Sequence, residues 1–124
     1  MLDEGEVYNR IGEAGFARLV RGFYQQVPED PVLGPMYPKS DLAGAEARLR
    51  DFLVGRFGGP ARYVEERGHP RLRMRHVPFA IDGDARNRWV AMMDRALDAA
   101  ALPEDAREVL RAFFHSTATF LRNR

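Results

Sequence analysis

The stretch RGHPRLRMRHVPF, residues Arg67 to Phe79, places four arginines, two histidines and two prolines in thirteen positions. A segment this basic usually sits in solvent, yet it lies between strongly amphipathic stretches. Pro70 suits the first position of a helix and Pro78 blocks continuation, so about two turns fit between them. Leu72 and His76 are four apart and share one face of that short helix. An inward His76 has two readings. It is a neutral core histidine bonded to a carbonyl, or it offers one ring nitrogen to a metal and the other to the backbone. Arg73 and Arg75 oppose a bare cation and favour an anionic group that carries its own metal.

Outward from this stretch, four segments carry helical periodicity. Before it, Phe16, Leu19, Val20, Phe23, Tyr24 and Val27 follow the 3.6-residue spacing after Gly12, and Pro28 closes the segment. A link with four of the eight prolines, from Pro28 to Pro38, leads to Asp41, a fair N-cap. The second helix then runs through Leu42, Ala45, Leu49, Phe52 and Leu53 to a stop at Gly58-Gly59-Pro60. After the basic stretch, Asp82 caps a helix with Trp89, Val90, Met93, Ala96, Leu97 and Ala100 on its stripe. Leu102-Pro103 breaks it. Glu104 and Asp105 favour the start of a last helix that turns Val109, Leu110, Phe113, Phe114, Thr117, Phe120 and Leu121 inward. No useful length alternates with period two. The fold class is all-α.

Composition narrows the function. The 124 residues suit one domain, 1–124, with 45% apolar and 30% charged side chains. Nineteen basic against 18 acidic residues leave a net charge of +1, which argues against a nucleic-acid binder. All basic residues but Lys39 are arginine, so position must decide what each guanidinium does. Absence of cysteine removes disulfides and thiolate chemistry. There is no membrane span and no secretory leader in MLDEGEVYNR, so the expectation is a cytoplasmic protein.

Among other candidates, His69 with Glu66 spells E-x-x-H, but Gly68 and Pro70 make that segment non-helical, which points to a turn role. His115 aligns with Arg111 and Arg122 on the polar side of the last helix, which predicts exposure. Tyr24, Tyr37 and Trp89 each bring one donor that needs an acceptor when buried. Each donor bonds some carbonyl, or the three converge on a buried ligand. No phosphate-binding glycine loop, nucleophile elbow or acid pair is present.

Taken in order, FYQQVPEDPVLGPMYP, DLAGAEARLRDFLVGRFGGP and RGHPRLRMRHVPF resemble the group II truncated haemoglobins, with Trp89 thirteen residues after His76. The resemblance covers nearly the whole chain. It implies a two-over-two helical sandwich around a b-type haem (iron protoporphyrin IX), with His76 as proximal ligand. It places Arg75 and Arg48 at the haem propionates, with Arg67 and Tyr63 as further partners. Leu49 takes the apolar position over the iron, and Ala45 the place where many globins carry histidine. Tyr24, Tyr37 and Trp89 resemble the family's distal donors. Phe52, Leu53, Leu72, Phe79 and Met93 would line the apolar walls. The partners implied are dioxygen, nitric oxide or carbon monoxide, with room for a reductase that no motif specifies, in a monomer or homodimer. An enzymatic extension to nitric oxide or peroxide chemistry belongs to the cofactor. A haem-free helical module docking an acidic partner through its arginines is the alternative.

Overall fold

Gly12 bends the first helix. The computed structural model describes residues 2–124, and in it α1 runs from Val7 to Tyr24 with Gly12 at φ 69° and ψ 177°. Only glycine adopts that backbone region readily. The helix therefore begins before the break that the sequence spacing takes as its start. It also ends earlier, because Val27 falls into a separate 3-10 turn, Val27–Glu29. A second such turn, Gly34–Met36, carries the chain through the prolines to Tyr37.

The later starts follow side-chain caps. Asp41 accepts a hydrogen bond from the Gly44 amide at 3.2 Å and opens α2, Leu42–Arg56. Asp82 accepts from Ala85 at 2.8 Å and opens α5, Gly83–Ala99. Pro103, with Glu104 and Asp105 in the first turn, precedes α6, Glu104–Leu121. Between α2 and α5 lie two short helices, α3 (Arg62–Arg67) and α4 (Leu72–His76). Pro70 is not the first residue of α4. Arg71 follows it in the left-handed conformation, φ 46°, and the helix starts only at Leu72.

The frame is all-helical: α1 packs on both α5 and α2, and α5 packs on α6. No strand occurs among the described residues. Phe16, Leu19, Val20, Phe23, Leu53, Phe57, Met93, Leu97, Leu110 and Phe114 fill the centre. Rings link α1 to the far side of the molecule, from Phe16 through Phe57 and Phe113 to Phe114 and Trp89, with centroids 5.0–6.2 Å apart. Phe120 departs from its expected inward place. It is 51% exposed with the Arg73 guanidinium 4.4 Å over its ring, because it faces the open groove that it shares with Leu72 and Arg73. No helix among the described residues is long and apolar enough to cross a membrane.

A Cβ at Gly12 would meet open space, so its cost is backbone conformation alone. Gly12→Ala is expected to lower the unfolding free energy by about 1–3 kcal/mol, read from urea denaturation.

Candidate functional site

His76 closes α4, a helix of five residues with none buried. Its Nδ1–H donates to the Leu72 carbonyl at 2.6 Å, the contact that i, i+4 spacing on a short helix allows. That bond fixes the tautomer and leaves the Nε2 lone pair free. The approach to α4 is a tight turn. His69 Nδ1 accepts from the Arg71 amide at 3.1 Å, and Arg75 Nε donates to the Pro70 carbonyl at 2.8 Å. His69 thus spends one nitrogen on the turn.

His76 lines a partly open cavity of about 170 Å³ together with Tyr37 and Trp89. Leu33 and Met36 border it from the proline-rich link, Phe79 and Ile81 from the segment after α4, and Ala85 and Arg86 from the first turn of α5. Thr117, Ala118 and Leu121 close it from α6. Several of these were not singled out from sequence. Ala85 and Arg86 stand one turn before Trp89, and this helical register is the signal that could have found them.

Tyr37 and Trp89 border this space, and Tyr24, which does not line it, packs against the same cluster of rings. Phe23 lies at the centre, with ring centroids 5.4 Å from both Tyr24 and Trp89. Tyr24 and Tyr37 meet edge to face at 5.6 Å. The Tyr24 hydroxyl donates to the Ala45 carbonyl at 3.3 Å, so α2 holds this donor through its backbone. Burial raises the Tyr24 hydroxyl well above its ordinary value, and the neighbouring Tyr37 adds to the rise. Burial pushes the Tyr37 hydroxyl up to about 12, and the neighbouring Trp89 indole works against the rise. Both are neutral O–H groups at physiological pH.

Other sequence candidates are distributed unevenly. Tyr63 lies 5.6 Å from the Phe52 ring, with the guanidinium carbons of Arg67 and Arg75 at 5.9 and 6.0 Å from its own. Arg75 also reaches the Arg67 carbonyl at 3.4 Å. Arg48 pairs with Asp41 at 3.3 Å, at the start of α2. Phe52 and Leu72 border a separate open groove of about 380 Å³, with His69 and Phe120. Leu49 is half-buried against the core, whereas Leu53 and Met93 are enclosed by it and do not reach the cavity. His115 is not free in solvent as its helix face suggested. Its Nε2 lies 3.0 Å from Asp94, because α5 turns that carboxylate toward α6.

The family profile described as bacterial-like globin matches residues 6–123. The chain belongs to the bacterial-like globin family. Among curated relatives of this globin, the group 2 truncated haemoglobin YjbI of Bacillus subtilis is 39% identical over 116 residues, 94% of this chain and 87% of that protein. The two-on-two haemoglobin-3 of Arabidopsis thaliana is 32% identical, over 97% of this globin and 70% of its relative. Among solved structures, the haemoglobin of Chloroflexus aurantiacus superposes with a TM-score of 0.92 at 45% identity, covering 95% of this chain and 98% of that one. A truncated oxygen-avid haemoglobin from Bacillus subtilis superposes with 0.89 at 38% identity, covering 94% and 98%.

In the folded globin the Tyr37 hydroxyl binds its proton more tightly than in the unfolded chain. The unfolded state therefore loses it first, and stability falls as pH rises from the ordinary 10.0 through about 12. Tyr37→Phe is expected to flatten that alkaline decline, measured by denaturation at a series of pH values on haem-free protein.

Proposed function

We propose that this globin binds a b-type haem through His76 and holds dioxygen or another diatomic ligand on the opposite face. The observation that carries this reading is the committed His76 ring: Nδ1 is tied to Leu72, and the imidazole lines the same cavity as Tyr37 and Trp89. No three His, Asp or Glu side chains among the described residues gather as a metal cage. A lone imidazole suits an iron that brings its other ligands with it.

The residues fit such a group. The cavity walls are largely apolar, as a flat hydrophobic ring requires. Arg67 and Arg75, which pair with no carboxylate among the described residues, would hold the haem propionates beside Tyr63. Arg48 would join them on leaving Asp41, an exposed pair that contributes little. Bound haem would supply an iron that takes a diatomic ligand and can change its oxidation state.

On the distal side, Ala45 carries neither a ligand nor a side-chain donor, which leaves that approach open. Tyr37 and Trp89, which border the cavity and are held in aromatic packing, would donate toward negative charge on a ligand there. Tyr24 adds a third donor by turning from the Ala45 carbonyl. Hydrogen bonds to a ligand with charged character contribute about 1.5–3 kcal/mol each. Slow release suits sensing, scavenging or the oxidation of nitric oxide better than bulk oxygen transport, and the last requires an electron donor.

His76→Ala is expected to abolish stable haem binding, with loss of the Soret absorbance of the reconstituted protein. His69→Ala and His115→Ala should bind haem like the parent. Haem retained by the His76 variant would reject the ligand assignment, and a parent that takes up no added haemin would reject the reading altogether. Trp89→Phe is expected to speed dioxygen dissociation by roughly tenfold or more in stopped-flow measurements, the loss of one such donor.

A further inference from the structure

Five hydrogen bonds join Asn123 and Arg124, just beyond α6, to the chain that leaves His76. The Asn123 carboxamide makes three of them. Its Nδ2 donates to the carbonyls of His76 at 3.3 Å and Phe79 at 2.9 Å, and its Oδ1 accepts from the Ile81 amide at 2.9 Å. The backbone amides of Asn123 and Arg124 both donate to the Ile81 carbonyl, at 2.9 and 3.2 Å. The Ile81 amide can only donate, so the carboxamide oxygen must face it, and both donors then face the two carbonyls.

This contact stands out because α4 has so little else to hold it. None of its residues is buried, and its entry turn is closed by bonds within residues 67–75. The side chain of His76 bonds within α4 itself. From α4 to the frame, the remaining side-chain hydrogen bond is Arg73 to the Phe120 carbonyl, long at 3.4 Å. A short helix also leaves its last carbonyls without internal partners. The His76 carbonyl already accepts the Phe79 amide at 3.0 Å; Asn123 adds a second donor to it and supplies one to the Phe79 carbonyl.

We propose that Asn123 is a positioning residue for the proximal imidazole: its carboxamide holds the carbonyl end of α4 against α6 and so sets the direction of His76 Nε2 toward the haem iron. The inference rests on His76 being the ligand. The clamp and the Nδ1–Leu72 bond act on the same residue from its backbone and its ring, and together they fix it. Asparagine suits the task because one planar group both donates twice and accepts. Aspartate retains only the acceptor, and alanine retains neither.

The test compares Asn123→Ala and Asn123→Asp with the parent in haem-loaded protein, and repeats the comparison without haem. In the loaded ferrous protein the iron–histidine stretching band should move in both variants. Haem transfer to an excess of a haem-scavenging protein should quicken by about tenfold, the lower end of what partners of metal ligands contribute. In the haem-free chain, hydrogen exchange at the Phe79 and Ile81 amides should quicken in the alanine variant, while Leu19, Leu97 and Leu110 exchange as in the parent. Asn123→Asp should return protection to Ile81 without returning the band to its parental position. A band and a transfer rate indistinguishable from the parent's would overturn the proposal. So would exchange that quickens equally in the frame, since that marks a general structural role. If His76→Ala keeps the parental haem and band, the ligand assignment itself has failed. If that variant loses them and Asn123→Ala leaves the band unmoved, the clamp alone has failed.

Discussion

One hydrogen bond organises the lower half of the cavity: His76 Nδ1–H to the Leu72 carbonyl, 2.6 Å long. It requires helical geometry over residues that could not keep a helix in isolation, since a single turn fixes many dihedral angles for few bonds. The surrounding chain supplies what is missing. Arg71 takes a left-handed turn into the helix, His69 and Arg75 close the loop before it, and Asn123 grips the carbonyls after it. The arginines that make this stretch look like a surface patch are partly structural: Arg75 binds carbonyls and Arg73 covers Phe120.

The upper half is built differently, from buried rings instead of a braced loop. Tyr24 on α1, Tyr37 in the link and Trp89 on α5 meet around Phe23. The Tyr24 hydroxyl is held by the Ala45 carbonyl, while Tyr37 and Trp89 border the cavity. The same low-polarity surroundings that raise the tyrosine hydroxyls keep them protonated, and a protonated hydroxyl is the form that donates. Ala45 completes the arrangement by contributing its carbonyl to Tyr24.

Periodicity made the frame legible. The stripes of α1, α5 and α6 name the buried residues, and Asp41 and Asp82 mark two helix starts, because capping and burial are local in sequence. The kink at Gly12 was not legible, since a glycine in a helical pattern carries no sign of its own φ and ψ. The four-residue spacing of Leu72 and His76 on α4 appears as the bond between the His76 ring and the Leu72 carbonyl. The pairing of His115 with Asp94, and of Asn123 with His76, depends on which helices meet, and no spacing along one helix encodes that. Leu53 and Met93 fell deeper than a pocket wall for the same reason: their stripes serve the core and the cavity at once.

The absence of buried side chains from α4 means that the floor of the cavity and the frame above it are separate units of stability. The frame is secured by its own packing. The floor is secured by contacts at its rim and by whatever its histidine binds, so its order and its occupancy rise and fall together. Local opening of this segment therefore costs less than unfolding the packed frame.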